Sequence, residues 1–151
     1  MTPMTDATSE ARLRRLEDLE EIRALFQAYQ RALDGKDFRA YAALFARDGV
    51  FVAADMVATG PEEIFTLVDG MTGTLLTTRT GDDFHLVSNV AIELEAGADR
   101  ATATSTWSYV VRTADDTPEL AKLGHYEDVL VREDGAWRFA HRKAPTDVPA
   151  V

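Results

Sequence analysis

From residue 84 onward the chain is written as four β-rich runs, and that most restricts the folds open to it. The runs are FHLVSNVAIELEA (84–96), RATATSTWSYVVRT (100–113), LGHYEDVLVRE (123–133) and AWRFAHRKA (136–144). Gly97-Ala98-Asp99, a polar loop at 114–118 and Asp134-Gly135 separate them, breaks short enough for antiparallel neighbours. The first half has a helical texture instead. Leu13, Leu16, Leu19, Ile22, Leu25, Phe26, Tyr29 and Leu33 mark one buried stripe of a long helix, with Thr8 or Ser9 as its cap. Asp37 reads as the N-cap of a second helix, FRAYAALFA, that stops before Asp48-Gly49. VFVAA and MVAT form a short hairpin, and GPEEIFTLVDGM is a third helix with Pro61 in its first turn. Residues 71–82 are a Gly/Thr-rich connection. Three helices followed by long antiparallel strands make an α+β chain, its helices covering one face of a bent sheet.

At 151 residues the chain is expected to be one domain, residues 11–144, with a disordered lead at 1–10 and a loose tail at 145–151. Its 16 Lys and Arg stand against 26 Asp and Glu, a formal charge of −10, so no basic stripe is available for nucleic acid. Without cysteine there is no disulfide, thiolate metal site or Cys nucleophile. The N-terminus is polar, and no window approaches the ~20 apolar residues of a membrane span. A cytoplasmic protein with no membrane partner is the expectation.

The segment AYQRALDGKDF poses a chemical question. Gly35 suits the left-handed turn beyond a helix end. Asp34 therefore sits where the helix dipole disfavours a carboxylate, unless a cationic partner lies nearby. Of three histidines, His141 beside Arg142 and Lys143 reads as a surface imidazole, and His125 alternates outward while Tyr126 turns in beside Gly124. His85 opens the first long strand, on one face with Val87, Asn89 and Ala91; a bulge there would turn the strand's first half inward and its second half outward. No metal-ligand spacing, G-x-S-x-G elbow or Gly-rich phosphate loop is present. Glu62-Glu63 favour the positive end of the third helix. What remains is a histidine with a carboxylate, plus tyrosines: general-base chemistry with a hydroxyl donor for developing charge. Tyr29 and Asp34 lie about 140° apart around an ideal helix, so they share a face only if it unwinds near Leu33.

The blocks ALDGKDFRAYAALFARDGVF, GPEEI, HLVSNV and GHYEDVLVREDGAWRFAHR resemble the SnoaL-like branch of the nuclear transport factor 2-like superfamily over residues 11–143. The resemblance implies a cone: three helices on a strongly curved, mostly antiparallel sheet around one apolar pocket. Within the branch the chain is similar to the scytalone dehydratase and bile-acid dehydratase group. Asp34 and His85 match that group's dyad, and Tyr29 matches the helix tyrosine of the bile-acid enzymes.

By that resemblance His85 takes a proton next to a carbonyl, Asp34 orients it and Tyr29 holds the enolate oxygen, without cofactor or metal. The substrate would be a hydrophobic oxygenated ring compound (polyketide, steroid or terpenoid), with Trp107, Tyr109, Tyr126 and Asn89 as further contacts. The fungal enzymes carry a second His on the next strand and the bile-acid enzymes an Asp. TSTWSYVV has neither, leaving Tyr109, Tyr126 or recycled His85 to protonate a departing hydroxide. A polyketide cyclase, or a non-catalytic binding or assembly module like the dioxygenase small subunits, is the alternative. Trp107 and Tyr109, alternating on one strand, also predict an exposed aromatic sheet face and hence a homo-oligomer, dimer or trimer.

Overall fold

A computed structural model describes residues 3–150, with side chains from Ala7 onward. Its elements are α1 (Pro3–Asp34), α2 (Phe38–Ala42), β1 (Phe45–Ala53), β2 (Met56–Thr59), α3 (Gly60–Gly70), β3 (Asp83–Glu93), β4 (Arg100–Arg112), β5 (Pro118–Glu133), β6 (Ala136–Lys143) and β7 (Thr146–Val148). The strands form one curled, unclosed seven-stranded sheet in the order β2-β1-β6-β5-β4-β3, with β7 on β5. Pairing is antiparallel throughout except between β1 and β6, which run parallel.

The helical stripe holds from Leu19 on: Ile22, Leu25, Phe26, Tyr29 and Leu33 are all buried. Leu13 and Leu16 are not. They are 57 % and 60 % exposed, because a helix of this length, roughly 48 Å at 1.5 Å per residue, overhangs the sheet it packs on. The helix also begins at Pro3 rather than after a disordered lead; Met1 and Thr2 lie outside the described residues. At the other end Thr146–Val148 is no loose tail but pairs with Leu123 and Gly124 of β5, and Val151 lies outside the description.

The second helix is shorter than its pattern predicts. Asp37 caps it, its carboxylate accepting from Ala40 N at 3.0 Å, but it stops at Ala42. Phe45 instead opens β1 opposite Phe139, and the Phe139 N–H donates to Leu44 O at 3.0 Å. Pairing with β6 overrides local helix propensity, helped by a ring cluster of Tyr41, Phe45, Phe51 and Phe139. Asp48-Gly49, read as a turn, is absorbed as an irregularity inside β1.

Two features shape the sheet's inner face. Between Ser88 and Ala91 the β3–β4 register slips, and Asn89 takes φ 54°. The extra residue changes which side chains face inward: His85 and Val87 before it, Val90 and Ile92 after it, all lie against the core. On β5, Gly124 makes room for the Trp107 indole; a Cβ there would stand 2.1 Å from its Cζ2.

Candidate active site

The end of α1 does not unwind. Asp34 is its last residue, and the chain leaves through Lys36 N–H to Leu33 O (3.2 Å) and Asp37 N–H to Ala32 O (2.9 Å). Lys36, not Gly35, takes the left-handed position (φ 57°). Gly35 serves a different need, since a Cβ there would meet Arg31 O at 2.8 Å. A lysine in that conformation costs about 1–2 kcal/mol. Its side chain is held in exchange: Nζ lies 2.5 Å from Oδ1 of Asp83, whose side chain is fully buried.

Asp34 is matched at the negative helix end by donors from β3. The His85 backbone N–H donates to both carboxylate oxygens (3.1 and 3.0 Å), and Nδ1 lies 2.7 Å from Oδ1. A carboxylate at Nδ1 selects the tautomer with its proton there and leaves the lone pair on Nε2. The 140° between Tyr29 and Asp34 therefore remains. Tyr29 and His85 line a cavity of about 270 Å³; Asp34 stands behind His85.

Trp107, Tyr109 and Tyr126 line the same cavity and are buried, which overturns the expectation of an exposed aromatic face on β4. The opposite face of that strand shows Thr102, Thr104 and Thr106 to solvent. Asn89 is not in the cavity. As the extra residue of the bulge it is exposed, its amide donating to Thr106 Oγ1 at 3.2 Å. His125 is occupied by Asp147 of β7, 2.7 Å from Nδ1. His141 is half-buried, and the neighbouring Arg142 is completely buried. Among the described residues no cluster of metal-ligating side chains occurs.

The SnoaL-like domain family model matches residues 14–143. The chain belongs to this family. No curated protein matches it. Among solved structures, this SnoaL-like chain is similar to a nuclear transport factor 2-like protein with a cystatin-like fold from Novosphingobium aromaticivorans (27 % identity, TM-score 0.81, 97 % of this chain and 92 % of that one). It is also similar to a protein from the same organism named provisionally as a scytalone dehydratase (26 %, 0.70, 91 % and 87 %). A third is ActVI-ORFA of Streptomyces coelicolor (26 %, 0.74, 86 % and 97 %).

Several groups that sequence reasoning passed over shape this SnoaL-like site. Tyr41, from α2, places its hydroxyl 2.7 Å from that of Tyr29. Burial pushes both phenols well above their ordinary range, so they stay neutral. The Tyr126 hydroxyl is bonded to Tyr29 as well, so three hydroxyl hydrogens serve two bonds and one is left for a ligand oxygen. Behind them Arg142 is paired in bidentate fashion with Asp128 (2.8 and 3.0 Å), its Cζ 4.1 Å from the Tyr29 ring and 3.7 Å from the Tyr126 ring.

Asp83 accepts the Tyr109 hydroxyl at 2.8 Å and Thr77 N–H at 3.1 Å, in addition to Lys36. Tyr109 thus spends its proton on Asp83, and burial with that carboxylate raises its own pKa, which removes it as a proton donor to substrate. Alternation does carry part of this set. Once Tyr126 faces inward, so do residues 122, 124 and 128, and Asp83 shares the face of His85.

Burial alone would raise the Asp83 pKa, but Lys36, Thr77 N–H and Tyr109 together hold it below the usual carboxylate range. A depressed acid stabilises the fold above its unfolded pKa, and that gain fades as pH falls through the folded value, here below the ordinary carboxylate range. Asp83→Asn is expected to lose about 1.5–3 kcal/mol at pH 7. Melting curves of the two proteins should converge in acid; a constant gap down to pH 3 would refute the coupling.

Proposed function

We propose that this SnoaL-like protein is a cofactor-independent isomerase or lyase acting on a hydrophobic oxygenated ring compound. The observation that carries the reading is His85: its Nδ1 is held by Asp34 while the residue lines an apolar cavity that is also lined by Tyr29 and Tyr41, whose hydroxyls are bonded to each other. Nε2 of His85 removes a proton from the carbon next to a carbonyl. The free hydroxyl hydrogen of the bonded tyrosines donates to the oxygen on which charge collects, and Asp34 balances the imidazolium. The similarity to a protein provisionally named as a scytalone dehydratase supports the same class.

His85 is the one imidazole lining the cavity among the described residues. A single base can carry a proton from one carbon to another, as double-bond migration requires. Loss of hydroxide needs an acid as well, which here would be His85 returning the proton it took. The geometry therefore favours isomerisation, with dehydration next. Size narrows the substrate too. An apolar cavity of ~150 Å³ accepts one benzene ring, so about 270 Å³ suits a one- or two-ring compound better than a steroid. The decisive experiment is exchange in D2O. Two-ring enones and β-hydroxy ketones that raise the melting temperature should take up deuterium next to the carbonyl; a bound ketone that shows no uptake would sink the reading.

We also propose a homo-oligomer of two or three copies, through a different surface from the one predicted. Phe84 and Leu86 of β3 are 42 % and 52 % exposed. The register sets them beside Val110 and Ser108 of β4 and then Leu120 and Leu123 of β5, with Val148 of β7 next to Leu123. An exposed apolar strip across four strands favours burial against another copy. Light scattering should give two or three times the 16.7 kDa chain mass, and Leu86→Asp should reduce it. A wild-type monomer at micromolar concentration would refute the assembly.

A further inference from the structure

Residues 122, 124, 126 and 128 of β5 turn to the inner face of the sheet, and three of them have evident roles there. Gly124 yields space to Trp107, Tyr126 lines the cavity, and Asp128 is neutralised by Arg142. The fourth, Lys122, lies directly across from Tyr109 in the β4–β5 register and lines the cavity. Among the described residues no carboxylate lies within ion-pair distance of its Nζ and no hydrogen bond engages it; the Tyr109 ring is 6.0 Å away.

That isolation sets Lys122 apart from the other cations turned inward. The other cations turned toward the interior each hold an acid: Lys36 holds Asp83, Arg132 holds Asp18 and Arg142 holds Asp128. Acids outnumber Lys and Arg by 26 to 16, so a cation without one is not explained by scarcity of partners. A half-enclosed apolar wall strengthens the pull of an ammonium on an anion relative to open water. The ammonium offers three donors on a flexible stem that can follow a ligand. Thr146, on β7 against Gly124, lines the same cavity.

We propose that Lys122 receives a carboxylate on the ligand, so that the cavity takes a hydrophobic ring acid rather than a neutral ring compound. The inference rests on the preceding reading only in placing the ligand in the His85 cavity. With the carboxylate at Lys122 the rings lie over Trp107 and Tyr109, and the opposite end of the ligand is directed toward the tyrosine pair. Lys122 thereby sets which acids bind and in which direction they lie.

Titration calorimetry with 2-naphthoate and 2-naphthamide, which share size and shape and differ in charge, tests this. The wild type should bind naphthoate at least ten-fold more tightly. Lys122→Met should bind both alike, with naphthamide affinity unchanged as proof of an intact cavity. His85→Ala should keep the wild-type preference, which separates Lys122 from an imidazolium as its source. Equal affinities in the wild type, or a preference that survives in Lys122→Met or disappears in His85→Ala, would overturn the role of Lys122 and leave the cavity reading standing. Failure of both compounds to bind the wild type would overturn the two-ring cavity reading and this proposal with it.

Discussion

His85→Ala should lose the deuterium-exchange activity by a factor of about 10²–10⁴, the usual contribution of a positioned general base, while melting close to the wild type. The stability expectation comes from how Asp34 is used. Two of its three contacts are with the backbone N–H of residue 85, and these persist when the ring is removed. The carboxylate therefore still ties the end of α1 to β3. Asp34→Asn probes the chemistry from the other side. Its amide can present N–H groups to Nδ1, which favours the tautomer with the proton on Nε2 and removes the lone pair from the cavity. A loss of similar size is expected, and nitrogen-15 spectra of the imidazole should show the proton moving from Nδ1 to Nε2. Asp34→Ala is the poorer test, because it also frees the backbone contact and confounds folding with catalysis. If a ketone bound by the wild type exchanges equally fast in His85→Ala, the histidine is a structural tie and the base lies elsewhere.

Periodicity made the strands and the buried half of α1 readable, since alternation and three- or four-residue spacing are local properties of the chain. Local pattern could not show that β1 pairs parallel with β6, because that pairing joins residues about 90 positions apart and converts Phe45 from helix to strand. Nor could it place Asn89. One extra residue inverts the face of everything after it, so strict alternation gave His85 and Asn89 one side when only His85 lines the cavity. The opposite error was made with Trp107 and Tyr109, whose spacing was right and whose face was not. A period of two says which residues share a side, and only the position of the helices says which side is inside. The Asp34–His85 contact followed from family resemblance rather than spacing. Lys36 was hidden for a physical reason: glycine is the usual left-handed residue, and a buried acid 47 positions later offsets the strain of using lysine instead.

Asp128→Asn should be among the most damaging single polar changes in the molecule, costing about 3–5 kcal/mol as expected for breaking a buried ion pair. In a domain of this length that lowers the melting temperature by roughly 10 °C. Both side chains of the Asp128–Arg142 pair are completely buried. Burial works to raise the Asp128 pKa and outweighs the pull of Arg142, leaving it above the ordinary value, whereas Asp128 helps keep Arg142 charged. The two partners therefore respond differently to losing each other. A stranded carboxyl can take up a proton and become neutral. A stranded guanidinium cannot release one, and here it would be held among the rings of Phe26, Tyr29, Tyr126 and Phe139 with one neutral amide oxygen and cation–π attraction as its compensation. Arg142→Met should thus cost less than Asp128→Asn despite removing a longer polar side chain, and the double variant should recover part of the loss. Because Arg142 underlies the Tyr29 and Tyr126 rings, either single change should also weaken ligand binding before the fold is lost. Denaturant unfolding of the three variants measures the coupling. Additive losses, or an Asp128→Asn protein within about 1 kcal/mol of the wild type, would mean that the pair is not what fixes the tyrosine wall; the predicted ordering is set by the one chemical difference between the partners, that only the acid can be neutralised by a proton.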